Sequence, residues 1–285
     1  MNKLISTKIN FSMINIIDLH NDYFVEIKQY KKKCKYLSSA MKNGVKNICS
    51  AVWTTEMSEQ VAFKTINECA EFSKKHNIFY SVEDLHFINE SNINTLIEIN
   101  PKLVNLTWND ENNLAGGALS NGDISSLGKN IIKTLENNNI QIDTAHLNEK
   151  SFLTFSSITT KPLICSHTAF YTKCEHPRNL KDYQLKIIAE SGGLVGICLV
   201  SRFLHSEKKV TISDFVSQID YYVSNYGIDT IALGTDFYGT KDYPKGIKYY
   251  KDLIKVQNRL ELLGYTQNAI EKIFYKNAER FLNFK

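Results

Sequence analysis

The chain has 285 residues, 43% of them hydrophobic, with 34 Lys and Arg set against 30 Asp and Glu. That composition supports a sizeable core, while a net charge of +4 carried by scattered lysines argues against a nucleic-acid partner. The tightest basic cluster, Lys31-Lys32-Lys33 with Lys35, reads as a solvated face. No run reaches membrane-spanning length and no apolar leader opens the chain, so a cytoplasmic protein without a membrane partner is expected. Cys34, Cys49, Cys69, Cys165, Cys174 and Cys198 are far apart and form no Cys-x-x-Cys pair. Three of them, Cys49, Cys165 and Cys198, sit in apolar runs, as reduced buried cysteines do.

In chain order, Ile14-Asn15-Ile16-Ile17 is a β-branched run that reads as a buried parallel strand ending in Asp18-Leu19-His20-Asn21-Asp22. Because side chains repeat every two residues in a strand, His20 and Asp22 should lean to one side. A helical stretch to about Lys42 leads to the turn Asn43-Gly44 and a second strand, Val45 to Trp53. An amphipathic helix from Ser58 to His76 precedes a third strand, Ile78 to Glu83. A short helix, Ile93 to Ile99, stops before Pro101, and Leu103 to Trp108 makes a fourth strand. The loop Asn109 to Gly122 is long for an α/β connection and is expected to overhang a site.

A helix from Ser125 to Asn137 follows, then a fifth strand, Ile140 to His146, with a helix from Phe152 to Ile158. Pro162 to His167 is the sixth strand, and the helix Asp182 to Ser191 closes at Gly192-Gly193. Leu194 to Val200 is the seventh strand, followed by a helix from Ser213, its expected N-cap, to Tyr226. Thr230 to Asp236 is the eighth strand, and two helical stretches, Tyr250 to Leu263 and Gln267 to Phe281, end the chain. Eight strands alternating with helices across residues 1–285 predict one α/β domain, a (β/α)8 TIM-type barrel with a C-terminal helical extension. The rival, an open doubly wound sheet, calls for a Gly-rich turn after strand one, and Asp18 to Asp22 has no glycine.

In such a barrel every strand opens its C-terminal end on one face, where the chemistry lies. Strand one brings His20 and Asp22, strand three Glu83, strand five His146, strand six His167 and strand eight Asp236. Singly, each reads as a polar strand end; together they form a cluster that is costly to bury without a cation. Imidazole and carboxylate donors without thiolates suit zinc, and also manganese, iron or cobalt. Six groups exceed one tetrahedral ion and suit two ions bridged by a carboxylate, holding a bridging hydroxide that hydrolyses an amide or ester.

The chain resembles the membrane (renal) dipeptidase family of zinc peptidases, which are amidohydrolase-like. The pieces that carry the resemblance are Asp18-Leu-His20-Asn-Asp22, Val82-Glu83, Leu106-Thr-Trp108-Asn109, Asp143-Thr-Ala-His146, Ser166-His167, His176-Pro-Arg178-Asn179, Gly192-Gly193 and Gly234-Thr-Asp236-Phe237. Across nearly the whole chain, their order and spacing are specific. The resemblance implies a metallodipeptidase, accepting dipeptides with a C-terminal D-residue among others, with two zinc ions per chain. His20 and Asp22 would hold one ion and His146 and His167 the other, with Glu83 as the bridging carboxylate. Asp236 matches the family's catalytic acid/base and Arg178 the arginine that receives the substrate's C-terminal carboxylate. A homodimer is also implied.

Two departures stand out. Trp108 occupies a position where the well-known dipeptidases carry a histidine that supports the tetrahedral intermediate, and indole offers one N–H donor and no charge. Tyr238 in Asp236-Phe-Tyr-Gly239 stands where the family has a second aspartate. Two other readings remain open: the same metals acting on another small amide, N-acyl amino acid or lactone, and a metal-binding homologue impaired in catalysis. His76, His86, His176 and His205 read as surface or loop residues.

Overall fold

The structure is a computed structural model that describes residues 14–30, 35–206 and 209–282. The Lys31-Lys32-Lys33 cluster and Cys34 lie outside the described residues. Eight strands, β1 (Ile16–Asn21), β2 (Val45–Trp53), β3 (Phe79–Glu83), β4 (Leu103–Asn105), β5 (Gln141–Asp143), β6 (Ile164–Thr168), β7 (Leu194–Ile197) and β8 (Ile231–Leu233), follow one another around a closed barrel. Every adjacent pair is parallel, β1 against β8 included. This is the (β/α)8 architecture that the strand–helix alternation predicts.

The packing follows from the apolar patterning. Ile16, Ile48, Val82, Val104, Ile142 and Val195 join the main core with apolar faces of the surrounding helices. A smaller cluster gathers Ile17, Leu19, Cys49, Leu103, Ile164, Leu194 and Ala232 around Ala278 and Leu282 of the C-terminal helix (Asn277–Leu282). Leu103, Ile164 and Leu194 each begin a strand, so this helix closes the end of the barrel opposite the mouth. Two close approaches need glycine: a Cβ at Gly196 or Gly234 would overlap the carbonyl oxygen of Ser166.

Several elements depart from the sequence reading for local reasons. β4, β5 and β8 are three residues long, because the chain leaves the ladder early for side-chain-held turns. Asp143 Oδ1 accepts from the backbone N–H of Ala145 (3.0 Å) and of Ser166 (2.8 Å), so the turn after β5 is tied to β6. Asp18 does the same between β1 and β8, accepting from the Thr235 N–H (2.7 Å), the Thr235 hydroxyl and the Tyr250 hydroxyl. The helical stretch after Asp22 is two helices, Tyr23–Tyr30 and Lys35–Lys42. The helix expected to start at Ser213 runs Ile212–Tyr226, with Thr211 as the cap and Asp214 bonding back to it. A short helix not foreseen, α8 (Ser201–Leu204), follows β7. The last stretch carries a π-helical turn, Lys272–Lys276. None of the described helices is long and apolar enough to cross a membrane.

Replacing Asp18 with Ala leaves the buried Thr235 N–H and two hydroxyls without their acceptor. Loss of this strap should cost about 2–4 kcal/mol of unfolding free energy, read as a lower urea midpoint with an unchanged m-value.

Candidate metal centre

The exits of β1 and β8 are zipped together by main-chain bonds: the Asp236 N–H donates to the His20 carbonyl (3.0 Å) and the Asp22 N–H to the Phe237 carbonyl (2.8 Å). The β1–β2 ladder is irregular between Asp18 and Asn21, the kind of bulge that re-aims side chains at a site rim. These exits bring His20, Asp22 and Asp236 together with ligand-capable atoms all within 4.8 Å of one another. His20 Nε2 lies 3.7 Å from Asp22 Oδ2. A Cβ at Gly239 would overlap both the Asp22 and Asp236 carboxylates, so only glycine lets them meet.

A second group shares His20 and adds Glu83 and His167, again within 4.8 Å of one another. His146 completes it, with Nε2 at 2.6 Å from Glu83 Oε1 and 2.9 Å from His167 Nε2; His167 Nε2 itself is 3.7 Å from Glu83 Oε1. The rings of His20 and His167 stack with centroids 3.7 Å apart. Glu83 therefore sits between the two groups. All six residues predicted to bind or serve the metals line one cavity of about 510 Å³, and Arg178 and Trp108 line it too.

The far sides of the rings are held. His146 Nδ1 faces Asn109 Oδ1 at 2.9 Å, so Nδ1 carries the proton and Nε2 presents its lone pair inward. His167 Nδ1 pairs with Ser166 Oγ at 2.8 Å, while the buried His20 Nδ1 has no hydrogen-bond partner among the described residues. His146 and Asp236 have φ of 73° and 58°, in the left-handed region that ordinary side chains avoid. Strain of this sort at two site residues marks a constellation held by its surroundings.

The electrostatics call for cations. Burial raises the Glu83 carboxyl above the usual range, and burial with the nearby Asp22 carboxylate pushes Asp236 up to about 8. Burial alone would lower His20, but the Asp22 hydrogen bond and the Glu83, Asp22 and Asp236 charges push it up to about 10. His146 and His167 are driven well below the usual imidazole value by burial and by the positive charges of Arg178 and His20. Two neutral imidazoles and three crowded carboxylates, with no lysine or arginine ion-paired to them among the described residues, form a donor set that fits divalent metal.

The other predicted residues take definite positions. Arg178 is buried; its Nη2 donates to the His167 carbonyl at 3.4 Å and its guanidinium lies over the Phe203 ring. Trp108 meets Trp53 edge to face (centroids 5.4 Å) and tilts against His146 (6.2 Å). Tyr238 lines the cavity beside Gly239. His86 stays out of the site, bonded to the Met57 carbonyl at 3.0 Å. His176 is a half-buried loop residue, as read, and in addition it lines the cavity and packs on Phe203 with ring centroids 4.4 Å apart. Asn109, Trp53 and Arg202 were not singled out for roles; only Asn109 carried a signal, as the end of the Leu106-Thr-Trp-Asn piece.

Fold and donors together define an α/β barrel with a candidate metal centre at its mouth. The chain belongs to the membrane dipeptidase family, peptidase family M19, whose sequence profile matches residues 23–284. It is 33% identical over 163 residues to an uncharacterized protein in the pqqA 5′ region of Klebsiella pneumoniae, covering 56% of this chain and 60% of that one. It is 27% identical over 217 residues to an uncharacterized dipeptidase of Schizosaccharomyces pombe, covering 71% of this chain and 51% of the relative. The chain thus spans between half and two thirds of these relatives' lengths. Its fold matches a metallo peptidase from Rhodobacter sphaeroides, solved with a phosphinate mimic of the dipeptide L-Ala-D-Ala. That match has a TM-score of 0.85 at 17% identity and covers 95% of this chain and 99% of the other.

Metal must displace protons held by Asp236 and His20, whose pKa values are raised, so uptake strengthens as pH rises toward and past those values. The increase in melting temperature on adding Zn²⁺ or Mn²⁺ to chelator-treated protein is expected to be larger at pH 8 than at pH 6. An equal shift at the two pH values would count against this donor set.

Proposed function

We propose that the chain is a binuclear metal-dependent dipeptidase. Zinc fits the nitrogen–carboxylate donors best, and manganese, iron and cobalt share that preference. His20 and Asp22 would hold one ion, His146 and His167 the other, and Glu83 both. Bound there, the ions would polarise the peptide carbonyl and acidify a water between them. Family membership supports this reading, and the observation that carries it is the placement of Arg178. It is a buried guanidinium opening on the same cavity as the metal donors, with no carboxylate within 4 Å among the described residues. A buried cation of this kind needs an anion, and a substrate's C-terminal carboxylate supplies one in bidentate geometry.

With its carboxylate on Arg178, the substrate would present its scissile carbonyl to the cavity that the donor cluster lines. Asp236, at the edge of the cluster, takes a proton from the attacking water as the carbon–oxygen bond forms. It returns that proton to the amine nitrogen as the carbon–nitrogen bond breaks. Burial and Asp22 keep its carboxyl basic enough for both halves of this exchange. Trp108 and Trp53 form an apolar wall beside His146, where the well-known dipeptidases place a histidine. The acyl side of the substrate is bounded by rings in place of a charged donor, so N-acyl amino acids with apolar acyl groups belong on the substrate panel with L-L dipeptides and L-Ala-D-Ala.

The test is a dipeptide panel with protein loaded with Zn²⁺ or Mn²⁺. Asp236→Asn is expected to lower kcat by at least about 10³-fold with the protein still folded. Arg178→Ala should lower kcat/KM by about 10²-fold, mainly through KM. Fully metal-loaded protein that hydrolyses nothing on the panel would refute the reading.

A further inference from the structure

A second guanidinium stands at this mouth. Arg202, on the short helix α8, lines the same cavity as Arg178, and the two guanidinium carbons lie 5.4 and 5.8 Å from the centroid of one ring, Phe203. Arg202 is exposed, and among the described residues no carboxylate lies within 4 Å of its guanidinium. Asp242 turns its Oδ2 to the Arg202 backbone N–H at 3.2 Å.

The helix that carries it is fixed from both sides. The Phe203 carbonyl accepts from Asn179 Nδ2 at 2.7 Å, next to Arg178 in sequence, and the Arg202 carbonyl accepts from Cys174 Sγ at 3.5 Å. On the other side the Ser201 N–H donates to the Asp242 carbonyl at 2.9 Å. The loop bearing Arg178, helix α8 and the loop after β8 are therefore one assembly. His176 feels both charges: burial, then Arg178 and Arg202, lower its imidazole to about 4. It therefore stays neutral and adds no third cation.

We propose that Arg202 forms a second anion subsite beside Arg178, and that the chain prefers dipeptides whose C-terminal residue bears an acidic side chain. The inference rests on the dipeptidase reading. Arg178 takes the main-chain carboxylate and Arg202 the side-chain carboxylate of Asp or Glu, with the Phe203 ring in contact with both guanidinium groups. A guanidinium suits this role because its planar fork pairs with carboxylate while its face stacks on an aromatic ring.

The experiment compares kcat/KM for Ala-Glu with Ala-Gln, and Ala-Asp with Ala-Asn, on metal-loaded protein. The acidic member of each pair is expected to be favoured by about tenfold, through KM. Arg202→Gln should bring the ratio close to one, and Arg202→Lys should keep part of it. A ratio near one in the unaltered chain, or a high ratio that persists in Arg202→Gln, overturns the proposal. A second arm does not need turnover: by calorimetry, N-acetylglutamate should bind the metal-loaded chain more tightly than N-acetylglutamine, and Arg202→Gln should abolish the difference. That difference without any dipeptide hydrolysis would uphold the subsite while refuting the dipeptidase reading; its absence would refute the subsite.

Discussion

The structure depends on an unpaid charge: three carboxylates and three imidazoles crowd one end of a barrel, and among the described residues no lysine or arginine is ion-paired to them. In a low-dielectric setting such a cluster is unstable unless protons or metal ions fill it. The raised carboxyls of Glu83 and Asp236 and the raised His20 are the proton solution, while the donor atoms that converge on either side of Glu83 fit divalent metal. The barrel tolerates the arrangement because its other layers are apolar and closely packed, down to the strand starts sealed by the C-terminal helix.

The cluster is held by what happens just past the strand ends. Asp18 and Asp143 are buried carboxylates that bond backbone N–H groups across strand boundaries, and neither belongs to the donor set. They fix the turns that aim His20, His146, His167 and Asp236. Left-handed φ values at His146 and Asp236, and the close carboxylate contact that Gly239 permits, are local costs offset by those bonds. Around the donors, Asn109 and Ser166 orient two of the rings, and two arginines sharing Phe203 line the same cavity.

Much of this was readable from the chain. Eight apolar, β-branched runs separated by helical stretches predict a parallel α/β sheet, the missing Gly-rich turn favours the closed barrel, and its geometry then sends every strand end to one face. Donor residues at those ends needed only that rule to be grouped. Arg178 lay in a loop and was found through its Pro177 and Asn179 neighbours in a familiar piece, with no periodicity to mark it. What stayed hidden depended on contacts between distant segments. The short α8 offers too few residues for a helical pattern, so Arg202 looked like any loop arginine. His176 gave no sign of packing on Phe203, which is 27 positions away in the chain. The cap at Thr211 was misplaced by two residues because Ser213 is an equally good cap in isolation, and only the Asp214 bond decides between them.

Locating the ions tests the central claim most directly. Crystals grown with Zn²⁺ or Mn²⁺, measured on either side of the metal's absorption edge, should give two anomalous peaks per chain flanking Glu83, one bordered by His20 and Asp22 and the other by His146 and His167. A single peak, or none at these side chains under saturating metal, would contradict it.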